Sequence, residues 1–248
     1  MNEVRSHGIV LQARNLREAD KLVTILTRTG GKVTAVARGV RKQTSKFKAL
    51  VSPLTLGFFL LHRGRSLETL IQGEIVKPYS RLQGDLVLLA YAQYFCELCE
   101  ASLPEREPAP EVFDLLLTAL EKLEEDTSPA RVARCFELNL LETLGYRPAL
   151  DGCLGCGNSG SYRFDIAQGG LLCQRCIAGT GAMPVSGAAV AVMRRFLADG
   201  FHKLNICVVP AGLCREIGAV SAALLLRATG RSRFKSLDIL HQLEEEIK

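Results

Sequence analysis

Residues 21–38, KLVTILTRTGGKVTAVAR, read as two strands joined by a tight turn. Apolar residues recur with a period of two in residues 21–28, which marks a strand with one face in a core. Thr29-Gly30-Gly31 supplies the turn, because glycine tolerates the positive φ of tight hairpins. Residues 32–38 then pair back. Working outward, residues 4–12 (VRSHGIVLQ) read as a preceding strand, and residues 54–62 and 67–76 as a second hairpin around Arg63-Gly64-Arg65. Five strands in residues 1–80, most of them hairpin-linked, suit a small barrel better than an open sheet with exposed edges. An OB-fold is the natural candidate.

After Pro78 the pattern becomes helical. Helices are expected at 82–103, 110–125, 128–144, 185–199, 211–229 and 236–247. Ser128 and Ser236 are the expected N-caps of the third and last, Pro129 takes N1, and Gly145 and Gly230 act as stops. The fold class is therefore α+β and multidomain. Residues 1–80 form the OB-fold, nucleic-acid-binding domain, and residues 81–248 a mostly helical domain interrupted by a Gly- and Cys-rich insertion at 150–182.

Charge is distributed unevenly over this plan. Between Asp20 and Glu68 stand Lys21, Arg28, Lys32, Arg38, Arg41, Lys42, Lys46, Lys48, Arg63 and Arg65, with no acidic residue among them. Residues 1–80 hold fourteen Lys/Arg against five Asp/Glu, a net +9, whereas the remainder holds seventeen against twenty-one, a net −4. A one-sided positive field on a small β-domain points to a polyanion, most often nucleic acid. Its densest part is the loop at residues 37–48, where Arg38, Arg41, Lys42, Lys46 and Lys48 surround Phe47. The cations suit phosphates. Phe47 suits either of two roles, a platform on which a base stacks for roughly 1–3 kcal/mol or an anchor of the loop to the core. Phe58 and Phe59 face opposite sides of their strand, and the alternation does not say which one is buried.

Nine cysteines in a reducing compartment direct attention to metal rather than disulfides. Cys153-Leu-Gly-Cys156 and Cys173-Gln-Arg-Cys176 form C-x2-C-x16-C-x2-C, two knuckles on a hairpin-like spacer. Four thiolates complete a tetrahedral shell for one Zn2+ and leave no open position, so the expected ion is structural. Cys96-Glu-Leu-Cys99 lies within a helical run and reads as core, as do Cys135, Cys207 and Cys214. No phosphate-binding glycine loop, dinucleotide fingerprint, H-E-x-x-H or G-x-S-x-G occurs, and the four histidines are scattered. The acidic clusters Glu121–Asp126 and Glu244–Glu246 read as solvated helix faces. A binding protein is expected rather than an enzyme. There is no apolar run long enough for a membrane span and no secretory pattern at the N-terminus, so the expected location is the cytoplasm.

Several segments together resemble a known family. Residues 18–27 (EADKLVTILT), Gly31, Ala37-Arg38-Gly39-Val40-Arg41-Lys42, Pro53-Leu54, residues 67–74, residues 134–146 (RCFELNLLETLGY), the cysteine quartet and residues 230–237 (GRSRFKSL) look like the bacterial RecO family of DNA recombination and repair mediators. The resemblance implies an N-terminal OB-fold, a helical body and a zinc-binding insertion. It also implies binding of single- and double-stranded DNA, annealing of complementary strands, and help in loading recombinase onto DNA coated with single-stranded DNA-binding protein. The implied partners are RecR and the acidic C-terminal tail of that coating protein, and the implied location is the bacterial cytoplasm, on the nucleoid when DNA is bound. For the tail, Arg131 and Arg134, one helical turn apart, are the candidate basic contacts. The competing readings are an RNA-binding translation or ribosome-assembly factor and a nuclease with an unrecognised metal site.

Overall fold

The computed structural model describes residues 3–126, 128–158, 160 and 162–246, with the side chains of residues 245 and 246 excepted. The chain divides into two units, Met1–Glu124 with Phe234–Lys248, and Glu125–Arg233. The change from strand to helix at residue 80 lies inside the first of them.

The first unit is built on five strands, β1 (Glu3–Asn15), β2 (Lys21–Thr27), β3 (Gly31–Ala37), β4 (Leu56–His62) and β5 (Glu68–Lys77). They close into a barrel in the order β1-β2-β3-β5-β4. All neighbours are antiparallel except β3 and β5, which run parallel and meet only at Ala35↔Glu68 and Val36↔Thr69. This order, with its single parallel closure, is that of an OB-fold. The β2–β3 hairpin turns where the glycines lie. Gly31 takes φ +70°, and a Cβ there would come within 1.8 Å of the Glu107 carbonyl oxygen, so only glycine fits. Val10, Val23, Ile25, Val33, Ala35, Phe59 and Leu61 fill the interior. Phe59 is fully buried and Phe58 is 38% exposed, which settles the alternation on β4.

Four helices complete this unit: α1 (Ser80–Gly84), α2 (Leu86–Ser102), α3 (Pro110–Glu125) and, returning at the end of the chain, α7 (Lys235–Glu246). The run expected as one helix at 82–103 breaks at Asp85, an extended residue whose carboxylate accepts the Val87 and Leu88 amides and so starts α2. The last helix starts one residue earlier than expected, and Ser236 is not its cap. The Glu97 carboxylate on α2 instead accepts the backbone N–H groups of Lys235 and Ser236, together with the Ser236 hydroxyl. Cys96 and Cys99 are buried in α2, where desolvation raises both thiols, Cys96 to about 12. They are core residues.

The second unit packs α4 (Pro129–Thr143) against α5 (Gly187–Asp199) and α6 (Ala211–Thr229). Between α4 and α5 lies a small sheet, β7-β6-β8, from β6 (Tyr162–Asp165), β7 (Gly170–Cys173) and β8 (Met183–Pro184). Ser128 does precede α4, but its side chain makes no capping bond. Cys135, Cys207 and Cys214 are buried. Of the two acidic clusters, neither is a purely solvated face. Asp126 is buried against Arg131, Glu124 pairs with Lys77, and Glu244 accepts the Tyr91 hydroxyl. The side chains of Glu245 and Glu246 lie outside the described residues. No helix is long and apolar enough to cross a membrane among the described residues.

Candidate nucleic-acid interface and metal centre

The basic loop follows β3 and is fastened to the barrel from within. Leu50 and Val51 are buried in the barrel core. Leu50 enters a slot between Gly57 on β4 and Gly73 on β5, where a Cβ on either glycine would come within 2.7 Å of its methyl groups. The slot exists because both positions lack a side chain. Hydrogen bonds fix the loop's outer half. The Gly39 N–H donates to Asp20 Oδ1 at 2.8 Å, the Arg41 N–H to the Ala19 carbonyl at 3.0 Å, and Arg41 Nη1 to the Arg17 carbonyl at 2.9 Å. Further on, the Val51 N–H reaches the Phe47 carbonyl, and the Thr55 hydroxyl the Ala49 carbonyl.

Anchored in this way, the loop presents its charges outward. Arg38, Arg41, Lys42, Lys46 and Lys48 are all exposed, and none enters an ion pair among the described residues. Phe47 is half-buried against the barrel core, the position of an anchor. Not every cation of the long run is available. Lys32 is buried with its ammonium on the Glu100 carbonyl at 2.7 Å, and Arg28 pairs with Asp114 at 2.9 Å. The β1–β2 turn adds exposed Arg17 beside the loop, and the end of β1 carries exposed Arg14. Charge counting missed these two because Glu18 and Asp20 follow them, although Asp20 is engaged in holding Gly39.

The arginines proposed for an acidic tail are a correction. Arg131 and Arg134 are only 9% and 8% exposed. Arg131 makes a fork to Asp126 at 2.6 and 2.8 Å and donates to the Cys207 carbonyl at 2.8 Å. Arg134 pairs with Glu137 at 2.6 Å, and its guanidinium lies where a Cβ on Gly218 would stand. Glu137 also accepts the Ser221 hydroxyl. Both cations are neutralised inside their own unit and tie α4 to the segments at 207–221, so neither offers a guanidinium to a peptide.

The four cysteines of the insertion do come together. The Sγ atoms of Cys153, Cys156, Cys173 and Cys176 all lie within 4.8 Å of one another, with Cys156 and Cys173 at 3.6 Å. A tetrahedral site with Zn–S bonds of about 2.3 Å separates its sulfurs by about 3.8 Å, so the set fits one ion. β6 and β7 pair from Tyr162↔Cys173 to Asp165↔Gly170, which carries the second knuckle back to the first. Gly155 permits the approach, since a Cβ there would lie 3.0 Å from Cys176 Sγ. Led by the Cys173 N–H, which donates to Cys153 Sγ at 3.2 Å, backbone N–H···S bonds pull the Cys153 thiol down to about 6 against the effect of burial. The Cys173 thiol is lowered too, chiefly by the Arg175 N–H. The Cys176 thiol is pushed the other way, to about 12, first by its hydrogen bond with Cys173, so the pull toward the thiolate that a metal takes falls on Cys153 and Cys173. Ser159 and Ser161 of the spacer lie outside the described residues.

Comparison with known proteins agrees with both halves. Residues 1–79 match the family model "Recombination protein O N terminal", and residues 83–238 match "Recombination protein O C terminal". The chain is 42% identical over 243 residues to the DNA repair protein RecO of Symbiobacterium thermophilum, covering 95% of this chain and 96% of that one. It is 37% identical over 195 residues to the protein of the same name from Bacillus pumilus, covering 78% and 76%. A third, from Listeria monocytogenes, is 36% identical over 173 residues, covering 69% and 68%. The chain belongs to the Recombination protein O family.

Proposed function

We propose that this protein is a DNA repair and recombination mediator with no catalytic chemistry of its own, acting in the cytoplasm. In this reading the barrel loop holds single- and double-stranded DNA, brings complementary strands together, and assists recombinase loading onto DNA coated with single-stranded DNA-binding protein. The observation that carries it is the pinned loop, five exposed cations on a backbone that Leu50 and Asp20 hold in place. Annealing needs no nucleotide hydrolysis. Two polyanions repel, and a cationic surface that binds both screens the repulsion and raises their local concentration. RecR and the acidic tail of the coating protein are the partners that this role calls for.

The four-cysteine centre takes Zn2+ in this reading, since thiolates in a closed tetrahedral set prefer it. When bound, the ion supplies cross-linking of the two knuckles rather than catalysis. Cys153 and Cys173 hold it from the buried side, and Cys156 and Cys176 from the more exposed side.

The test is annealing of complementary oligonucleotides coated with single-stranded DNA-binding protein, without ATP. Wild type should anneal them and Arg38→Ala/Arg41→Ala/Lys42→Ala/Lys46→Ala should not. Failure of a folded, zinc-loaded wild type, combined with preference for structured RNA, would replace this reading with an RNA-binding one.

A further inference from the structure

The turn at residues 63–67, between β4 and β5, is held by an arginine from a distant stretch of the first unit. Arg106 donates from Nη2 to the Gly64 carbonyl at 3.1 Å and from Nη1 to the Arg65 carbonyl at 3.2 Å, while its Nε meets Glu68 Oε1 at 3.1 Å. Glu68 is only 2% exposed, and its other oxygen accepts the Gly64 N–H at 3.1 Å. Arg106 sits at φ +65°, a left-handed conformation that a residue with a side chain keeps only when its surroundings impose it. The surroundings are visible. Its N–H donates to the Lys32 carbonyl at 2.7 Å, and the neighbouring Glu105 accepts the Thr34 hydroxyl at 3.0 Å. The result is a rigid turn. Its own two cations, Arg63 and Arg65, are exposed and enter no ion pair among the described residues.

The position of the turn gives it a purpose. β3 and β5 run parallel, so the turn before Glu68 lies at one end of their seam, and Arg38, just past β3, lies at the other. From Arg65 to Ile71 is about 20 Å of extended chain. Val36 and Thr69 pair across the seam, each half-exposed, and Ile71 beside them is exposed. The outer face of β2 and β3, where OB-folds commonly take oligonucleotides, is closed at its far end, because Lys32 is buried under the Glu100 carbonyl of α2.

We propose that Arg63 and Arg65 form a second phosphate-binding site for the same single strand that the 38–48 loop holds, with the strand lying along the β3–β5 seam. This rests on the nucleic-acid role proposed above. Val36 and Ile71 offer apolar contact to unstacked bases, which a duplex keeps inside. The exposed Glu105 carboxylate, which accepts the Thr34 hydroxyl on β3, repels phosphate and so marks the edge of the path.

The experiment titrates the full-length protein with fluorescent oligothymidylates from about 4 to about 16 nucleotides, the range of OB-fold site sizes, at several salt concentrations. Wild-type affinity should rise with length until both cationic sites are reached. Arg63→Ala/Arg65→Ala should lose roughly tenfold on the longer oligonucleotides and little on the shortest. Its salt slope should be shallower by about 1.4, two phosphates at about 0.7 each. Glu105→Gln should bind the longer ones more tightly than wild type. If Arg63→Ala/Arg65→Ala matches wild type in length dependence and slope while the four-cation loop variant loses binding, the second site is wrong and the role of the loop stands. Wild type that binds no oligonucleotide of any length overturns both.

Discussion

The basic loop and the four-cysteine insertion are both stretches of irregular chain that display functional side chains, yet they are held in opposite ways. The loop is fastened by the fold itself, with Leu50 and Val51 in the barrel core and Asp20 accepting Gly39. The insertion buries Phe164 and Leu171 fully along its β6–β7 hairpin, but its knuckles have little core of their own. Cys153, Leu172 and Cys173 are the buried cluster there, with Tyr162, Cys176 and Ile177 packed beside them. Three of these six are ligands, so the apolar contribution is too small to hold the knuckles closed without an ion. The cationic surface is therefore preformed, whereas closure of the knuckles is expected to depend on an ion held by the four cysteines.

Metal removal should give the largest effect. Apparent binding energies of structural zinc in small peptides run to about 10–16 kcal/mol, well above what this cluster can replace. Chelation or Cys153→Ser should abolish hydrogen-exchange protection at the two knuckles, leave β1–β5 protected and leave oligonucleotide affinity within about twofold. Barrel protection lost together with the metal would break the comparison.

Arg134→Ala comes next. It leaves Glu137 buried without its guanidinium, a change that costs about 3–5 kcal/mol in comparable buried pairs. Denaturant unfolding should show that loss while DNA affinity stays unchanged. Reduced DNA affinity at full stability would make this arginine part of the interface.

Leu50→Ala tests the anchor of the loop. Emptying the slot between Gly57 and Gly73 should cost about 2–5 kcal/mol and weaken DNA binding although every cation remains. Leu50→Met should stay within about 1.5 kcal/mol of wild type. An alanine variant of full stability and affinity would mean that the loop is fastened elsewhere.

The strands and the quartet were legible because each rests on short-range pattern. Period-two apolar residues with glycines at the turn gave β2 and β3, and the paired C-x-x-C spacing gave the metal site. What was not legible depends on partners far away in sequence. Glu97 starts α7 from 138 residues upstream, and Gly218 makes room for Arg134 from another helix. Arg134 and Glu137 do stand three apart on one helix, a pairing signal that was open to reading and argued against a free docking arginine. Phe58 and Phe59 could be separated only by barrel closure. Arg17 was hidden because local acids cancelled it in the charge count, while in the fold its carbonyl receives Arg41 and its own side chain stays exposed.

The central claim is that a pinned, cationic loop is a nucleic-acid surface, and the salt dependence of single-strand binding tests it most directly. If four to six phosphates are neutralised, log affinity should fall against log salt with a slope of roughly −3 to −4. Replacing Arg38, Arg41, Lys42 and Lys46 by alanine should remove most of that slope and most of the affinity at low salt. A wild-type slope near zero, or a four-alanine variant that keeps the wild-type slope, would contradict it.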